Sequence, residues 1–371
     1  MRVAVIGAGI VGASVAFRLA ESGAARVWIV DRSGPGSGTT SASFAWVNAN
    51  DKTPRDYFEL NRAGLEEHLR LRDELPDGAS WLHLGGNLEW AEDEETLEAL
   101  ASRVERLRSW GYAAEWRESR QVNEVLEPNV AFPNPDTPVA FFPEEAWVDA
   151  PRLADTFVEL ACQRGAETRF DAAVEELETR GGRASALLLR DGERLPVDAV
   201  VNAAGPEADK VAALLGRTLP LRPKEGLLVR LSAEDTSIGR IVHSPYVNLR
   251  PDTLGRVVVH HGSIDQKLKD NGVSGDSHSH ELLERARRVV PSLEGAKLED
   301  VRVGIRPMPE DGLPCVGVVS ELPGYYEAVT HSGVTLGPLL GRLLAREILD
   351  EEVDGLISPF RPDRFARDQV S

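Results

Sequence analysis

The chain has 371 residues, 42% hydrophobic and 27% charged, which is the composition of a globular protein with room for two domains or one large one. Sixty acids against 42 bases leave a net charge of −18, which repels polyphosphate backbones and anionic headgroups and argues against nucleic-acid binding and passive membrane adsorption. Cys162 and Cys315 form neither a disulfide framework nor a metal motif, no histidine spacing matches a zinc site, and no apolar run reaches a membrane span. The expectation is a cytoplasmic protein with no metal and no membrane span.

Arg2–Ile6 reads as a buried strand, and Gly7-Ala8-Gly9-Ile10-Val11-Gly12 follows it directly. A helix from Ala13 to Ser22, a turn at Gly23 and a second strand over Arg26–Val30 come next, and Asp31-Arg32 closes the unit. This is a complete βαβ dinucleotide fingerprint. Gly7 makes the tight turn, Gly9 lets the backbone approach a pyrophosphate, and Gly12 brings the helix close to the sheet with its N–H groups aimed at phosphate. Asp31 is placed to accept the ribose hydroxyls. These residues alone leave both NAD and FAD open.

Gly34–Ser43 leaves the C-terminal end of the second strand, the edge where open α/β sheets bind ligands. Its small hydroxyl residues can approach a cofactor closely and donate hydrogen bonds. From about Asp51 the texture changes to an amphipathic helix around Tyr57–Leu69, strands within Trp81–Trp90, and a second helical repeat over Leu97–Trp110. Asp149 is a helix cap for Pro151–Arg164. Short strands follow at 167–170, 172–179 and 185–190, and Val197–Asn202 is another strand that runs into Ala203-Ala204-Gly205.

Leu227–Leu231, Tyr246–Leu249 and Val257–His261 read as strands of a second sheet, with a helix over Ser279–Val290. His260 and His261 are adjacent on a strand, so they point to opposite faces and cannot both line one site from it. The last segment holds a strand at Tyr326–Val329, a turn at His331-Ser332-Gly333 and an apolar helix over Val334–Leu349. The fold expected is α/β with an α+β substrate part. A Rossmann-type nucleotide-binding domain is assembled from 1–50, 150–215 and 305–371, and an antiparallel-sheet substrate domain over 51–149 and 216–304 is inserted between its pieces.

Six stretches in order, GAGIVGASVAFRLAESG with DR, GTTSAS, VDAPRLA, VVNAAGPEAD, GIRPMPEDGLPCVG and HSGVTLGPLLGRLLA, resemble the FAD-dependent amine oxidoreductases. That family includes the D-amino acid oxidases and dehydrogenases, glycine oxidase and the sarcosine oxidases. The resemblance implies FAD, held by Gly7, Gly9, Ile10, Val11, Gly12, Asp31, Arg32, Thr39, Thr40, Ser41, Ser43, Val174, Ala203, Ala204, Gly205, Gly304, Arg306, Ser332, Gly333, Val334, Thr335 and Leu336. It departs from the family at Asp31, where Glu is usual. Gly304 stands where some sarcosine oxidases carry a linking cysteine, and Thr39–Asn50 has no histidine for the other linkage, so the FAD is expected to be noncovalent.

The implied activity is oxidative deamination or demethylation of a small amino acid or N-alkyl amino acid, by hydride transfer from the C–N carbon to the flavin. Electrons would pass on to O₂ or another acceptor. Arg306 would receive the substrate carboxylate, since a guanidinium makes two parallel charge-assisted bonds to it; the plainer alternative is an ion pair with Glu310 or Asp311. Tyr246 would help hold the carboxylate or close the site, or else be a half-buried core tyrosine. His331 is given no catalytic role, and Trp46, Trp81, Trp90, Trp147 and Cys315 are read as core. The turn at His331–Thr335 lacks the basic residue of the glycine oxidase type, which weakens a claim for glycine itself. Two rivals stand beside this reading. One is an NAD-dependent dehydrogenase; the other is a FAD-binding electron-transfer or assembly subunit with no amino acid site of its own, in which Arg306 would be paired within the protein.

Overall fold

The computed structural model describes residues 1–75, 80–233, 238–271, 275–349 and 353–366. A six-stranded sheet runs in the order Cys315–Val318, Tyr325–Val329, Ala199–Asn202, Arg2–Ile6, Arg26–Val30, Glu167–Arg169. All neighbours are parallel except the edge pair of Cys315–Val318 with Tyr325–Val329. Parallel strands are buried on both faces, and these strands alternate accordingly. Val3, Val5, Val27 and Ile29 face a core shared with the helices Ile10–Glu21, Ala150–Gln163 and Gly333–Ile348. Phe17 and Phe157 stack there at 5.4 Å. Ala4, Ile6, Trp28 and Val30 face the opposite way, onto a three-stranded antiparallel sheet of Val174–Arg180, Arg183–Leu189 and Arg194–Pro196.

An eight-stranded sheet is ordered Leu298–Arg306, Lys224–Ser232, Arg256–His260, Asn248–Pro251, Ile241–His243, Asn87–Glu89, Pro138–Phe142, Glu115–Glu118. Its pairs are antiparallel except Ile241–His243 with Asn87–Glu89. The period of two again divides the faces. Leu227, Val229, Val247, Leu249, Val257 and Val259 join a core with Leu282, Ala286 and Val289 of the helix Gly275–Val289. The other face carries His243, Asn248, Arg250 and His260 toward the segment after the glycine-rich loop, where Phe44 lies 4.4 Å from the His260 ring and its carbonyl accepts from Arg250 Nε.

One expected strand starts late. Tyr246–Leu249 gives way to Asn248–Pro251 because the Ser244 hydroxyl accepts the Tyr246 and Val247 N–H groups and donates to the Val247 carbonyl, closing a local turn. Trp81, Trp90 and Trp147 are buried, as is Cys315. Trp46 is only half-buried, lying 4.3 Å from the His243 ring. Among the described residues no helix is long and apolar enough to cross a membrane.

Candidate active site

The C-terminal ends of Arg2–Ile6, Arg26–Val30, Ala199–Asn202 and Tyr325–Val329 open into a cavity of about 930 Å³. Its mouth is built where a doubly wound sheet leaves a crevice for ligands. Gly7 has φ 106°, and a Cβ there would strike the Ala203 carbonyl; a Cβ at Gly12 would strike the Gly7 carbonyl. Both absences let strand, loop and helix meet at one point. The helix Ile10–Glu21 begins after Gly9 with no side-chain cap, so orphan N–H groups and the positive end of its dipole are left at the cavity wall, a fit for a diphosphate. Thr40 Oγ1 accepts from the Ile10 N–H at 3.1 Å and ties the glycine-rich loop to that helix end. Asp31 accepts the Ala8 N–H at 2.7 Å through Oδ2 and the Ser33 N–H at 2.8 Å through Oδ1. Each oxygen retains a lone pair that can accept a ribose hydroxyl.

Of the residues expected to hold a cofactor, Gly7, Gly9, Ile10, Val11, Asp31, Arg32, Thr39, Thr40, Ser41, Ser43, Val174, Ala203, Ala204, Gly205, Gly304, Gly333 and Val334 line this cavity. Gly12, Arg306, Ser332, Thr335 and Leu336 do not. Gly12 acts from behind by fixing the turn. Ser332 shares a hydrogen bond with the Tyr57 hydroxyl at 2.7 Å, Thr335 Oγ1 donates to the Trp46 carbonyl, and Leu336 is core. Sequence reading missed Ser37, Arg190, Lys210, Arg302 and His331, which also line it. Lys210 and Arg32 share Glu207 as an ion-pair partner.

At the other end of the site the eight-stranded sheet closes over the cavity. Arg306 lies directly opposite Lys224 in the strand register, and Gly304 is packed so closely that a Cβ would come within 2.8 Å of the Ala42 carbonyl. The Arg306 guanidinium lies across Gly226, where a Cβ would sit 2.5 Å from Nη2. Its Nη2 donates to Asp265 Oδ2 at 2.6 Å, while Asp265 Oδ1 accepts the Leu227 N–H at 2.9 Å. The alternative partners are taken elsewhere, Glu310 by Arg222 and Asp311 by Arg364. Arg306 is therefore paired within the protein, but through a residue 41 positions away in sequence.

Tyr246 is a correction. Its ring lies 3.7 Å from the Arg288 guanidinium, against the core on the helix side of the sheet, and it is not among the residues lining the cavity. The Ser244 turn accounts for this by removing Tyr246 from the strand whose alternation would have set its direction. The polar groups on the opposite face of the sheet, against Phe44 and Trp46, are His243, Asn248, Arg250 and His260. His243 Nδ1 shares a hydrogen bond with Asn87 Oδ1 at 2.8 Å, and Asn248 Nδ2 lies 3.4 Å from His260 Nε2. Burial pushes His243 down to about 3 and His260 well below the usual histidine range. The His331 ring, exposed to the open cavity, is also pushed down, by desolvation from the walls around it and by the cations Lys52, Arg306 and Lys224. All three imidazoles are uncharged at neutral pH.

Behind Trp46 lies Glu145, fully buried, which accepts from Trp46 Nε1 at 2.8 Å and from the Tyr112 hydroxyl at 3.0 Å. Desolvation outweighs these bonds and lifts its carboxyl to about 8. Lys52 is near it, pushed down by desolvation, with Asp51 and Glu145 acting to raise it and Arg103 to lower it. Nothing in the residues flanking Lys52 or Glu145 distinguishes either by composition from a solvated loop, so the sequence carried no signal for them.

The family model for FAD dependent oxidoreductases (DAO) matches residues 2–347. The chain is 28% identical to glycine oxidase of Geobacillus kaustophilus, over 96% of this chain and 95% of that protein. The crystal structure of glycine oxidase from that species superposes with a TM-score of 0.85 at 27% identity, covering 98% of this chain and 99% of the other. Iminodiacetate oxidase from Chelativorans sp. BNC1 gives 0.84 at 27% identity, over 97% and 99%. An opine oxidase subunit from Agrobacterium tumefaciens is 24% identical over 99% of this chain and 98% of that one.

Proposed function

The chain belongs to the DAO family of FAD-dependent oxidoreductases, and from that premise we propose that it oxidises the C–N bond of a small amino acid or N-alkyl amino acid, by deamination or demethylation. The observation that supports this most is the placement of Arg306 at the end of the strand whose Gly304 walls the cofactor cavity. Bound in that cavity, FAD supplies the acceptor for the hydride of the carbon that bears nitrogen. The glycine turn, the uncapped helix end and Asp31 hold the dinucleotide, without a covalent link because Gly304 offers no nucleophile. The cofactor is FAD, so the NAD alternative falls.

The chain's own residues then have three tasks. Arg306 grips the substrate carboxylate with the nitrogens that Asp265 leaves free, and fixes its direction. Phe44 and Trp46, packed on His260 and His243, keep water from the reacting carbon. The uncharged imidazoles of His243, His260 and His331 add no positive charge against the substrate's amine, which must be neutral to release a hydride. Electrons leave to O₂ or to another small or protein acceptor, and the protein works in the cytoplasm. The two-part division of the chain, with 51–149 and 216–304 forming the substrate side, is part of this proposal.

One specific observation favours a second reading, a FAD-carrying subunit for electron transfer or assembly: Arg306 already has an internal partner in Asp265. The similarity to a protein named as an oxidase subunit points the same way. A single experiment separates the two. The flavin absorption of purified protein is recorded without oxygen while D-amino acids, glycine, sarcosine and cyclic imino acids are added. Bleaching by any of them supports the amine oxidoreductase, and admitting air then reports on O₂ as acceptor. A flavin that none of them bleaches overturns that reading in favour of the electron-transfer role.

A further inference from the structure

A second cavity, of about 260 Å³, adjoins the first. Thr40, Ser41, Ser43 and Arg302 line both, so this short stretch of loop forms part of the wall between them. Arg230, Arg250, Arg256 and Arg302 line the second cavity, against Asp149, Asp252 and Asp300. No other charged residue lines it among the described residues, which leaves one positive charge in excess. That excess stands out in a chain whose net charge is −18.

The aspartates are already engaged. Asp252 alone meets three arginines, Arg230 at 3.2 Å, Arg250 at 3.4 Å and Arg256 at 3.1 Å. Asp300 Oδ2 accepts from Arg230 Nη1 at 2.6 Å and from Arg302 Nε at 2.8 Å. Asp149 Oδ1 accepts the Arg152 N–H as the cap of the helix Ala150–Gln163. Donors remain in surplus. Arg256 Nε is buried without a partner. Neither Nη of Arg302 makes a hydrogen bond to a described residue, and 46% of that side chain is exposed. Guanidinium groups gathered this closely repel one another, and a further anion with several oxygens relieves the repulsion.

The same arginines hold the shared wall from behind. Arg230 Nη2 donates to the Ser41 carbonyl at 3.0 Å, and Arg250 Nε donates to the Phe44 carbonyl. On the other side Thr40 Oγ1 accepts the Ile10 N–H, at the helix end that fits a diphosphate. Whatever fixes the arginines therefore also steadies the loop that walls the cofactor.

We propose that the second cavity binds a phosphate group, free or on a small ester, and that its occupancy tightens the hold on FAD. The four arginines come from four different strands. A tetrahedral oxyanion can accept from donors that converge in this way, and arginine matches phosphate geometry. The anion supplies the charge that the three aspartates leave short. The inference is independent of which amine the enzyme oxidises.

Isothermal titration of the holoenzyme reads the binding directly, with FAD already filling its own diphosphate site. Inorganic phosphate and glycerol phosphate are the probes, and potassium chloride at matched ionic strength is the control. Phosphate should bind at one per chain. Arg256 lines the second cavity and not the first, so Arg256→Gln should weaken binding about tenfold or more, the scale of one charge-assisted contact. Arg256→Lys should retain most of it, and Arg302→Gln, at an exposed side chain, should weaken it as Arg256→Gln does. The rate of flavin release, followed by recovery of flavin fluorescence, should fall about fivefold or more at saturating phosphate, the lower end of coupling between sites. Arg256→Gln should show no such fall. Tighter binding of glycerol phosphate would support an ester as the ligand, and tighter binding of inorganic phosphate the free ion. Binding no stronger than that of chloride, or undiminished in both glutamine variants, overturns the site. A release rate that phosphate leaves unchanged overturns the link to the cofactor.

Discussion

Arg306 Nη2 and Asp265 Oδ2 meet at 2.6 Å, with the arginine side chain 34% exposed and the aspartate 10%. The aspartate is doubly anchored, since its other oxygen accepts the Leu227 N–H. The guanidinium is thereby aimed by a fixed carboxylate that also cancels much of its charge. Asp265→Asn retains an acceptor for Leu227 and removes the cancelling charge. It should lower the KM for carboxylate substrates by about three- to tenfold, a charge-assisted contact of about 1 kcal/mol. A KM that rises instead would mean that Asp265 serves mainly to aim the arginine.

Arg306→Lys replaces a planar fork with a point charge. The KM for carboxylate substrates should rise about tenfold or more, while the flavin absorption spectrum stays close to wild type. An unchanged KM would remove Arg306 from the substrate site and strengthen the reading of the chain as a flavin carrier without an amino acid site.

Gly12→Ala inserts a Cβ into the Gly7 carbonyl, which neither rigid backbone can yield. The helix must withdraw from the turn, and the diphosphate berth goes with it. The purified variant should lack the yellow colour of bound flavin and unfold more readily, by roughly 1–3 kcal/mol as overpacking costs. A variant with full flavin occupancy would contradict the role given to the turn.

The noncovalent hold can be checked by denaturing the holoenzyme in acid and centrifuging. The flavin absorbance should appear in the supernatant. Absorbance retained in the pellet would point to a linkage that Gly304 cannot provide.

Glu145 gives a pH dependence with a definite sign. Its carboxyl is raised to about 8 in the folded protein, from a usual value near 4.5. Between these values the unfolded chain releases a proton that the folded chain keeps, so this residue's contribution to stability falls as pH rises and is fully present only below about 4.5. Glu145→Gln keeps an acceptor for Trp46 and Tyr112 and cannot ionise. Its Tm relative to wild type should improve steadily from pH 5 to pH 8. A constant difference across that range would show that Glu145 ionises normally.

The nucleotide-binding end was legible because its signals are local. Gly7, Gly9, Gly12 and Asp31 lie within one βαβ unit, and their roles depend on backbone shape and spacing. The substrate end was less so. Arg306 was recognisable by its motif, yet its partner Asp265 sits on a different element, and the neighbours available in sequence, Glu310 and Asp311, belong to other arginines. Tyr246 was misplaced because a serine hydroxyl two residues earlier closes a turn that propensity does not register. Glu145 was invisible, since what marks it is complete burial behind Trp46 and Tyr112, a property that exists only once distant segments have packed.

The edge strand Leu298–Arg306 links the two ends of the site, because Gly304 rests on Ala42 of the loop that walls the dinucleotide cavity while Arg306, two residues on, points its guanidinium across Gly226. A bulkier side chain at Ala42 would therefore push on Gly304 and carry the guanidinium two residues on out of its place over Gly226, so a lesion in the dinucleotide loop is felt at the acid-binding end through one short length of strand.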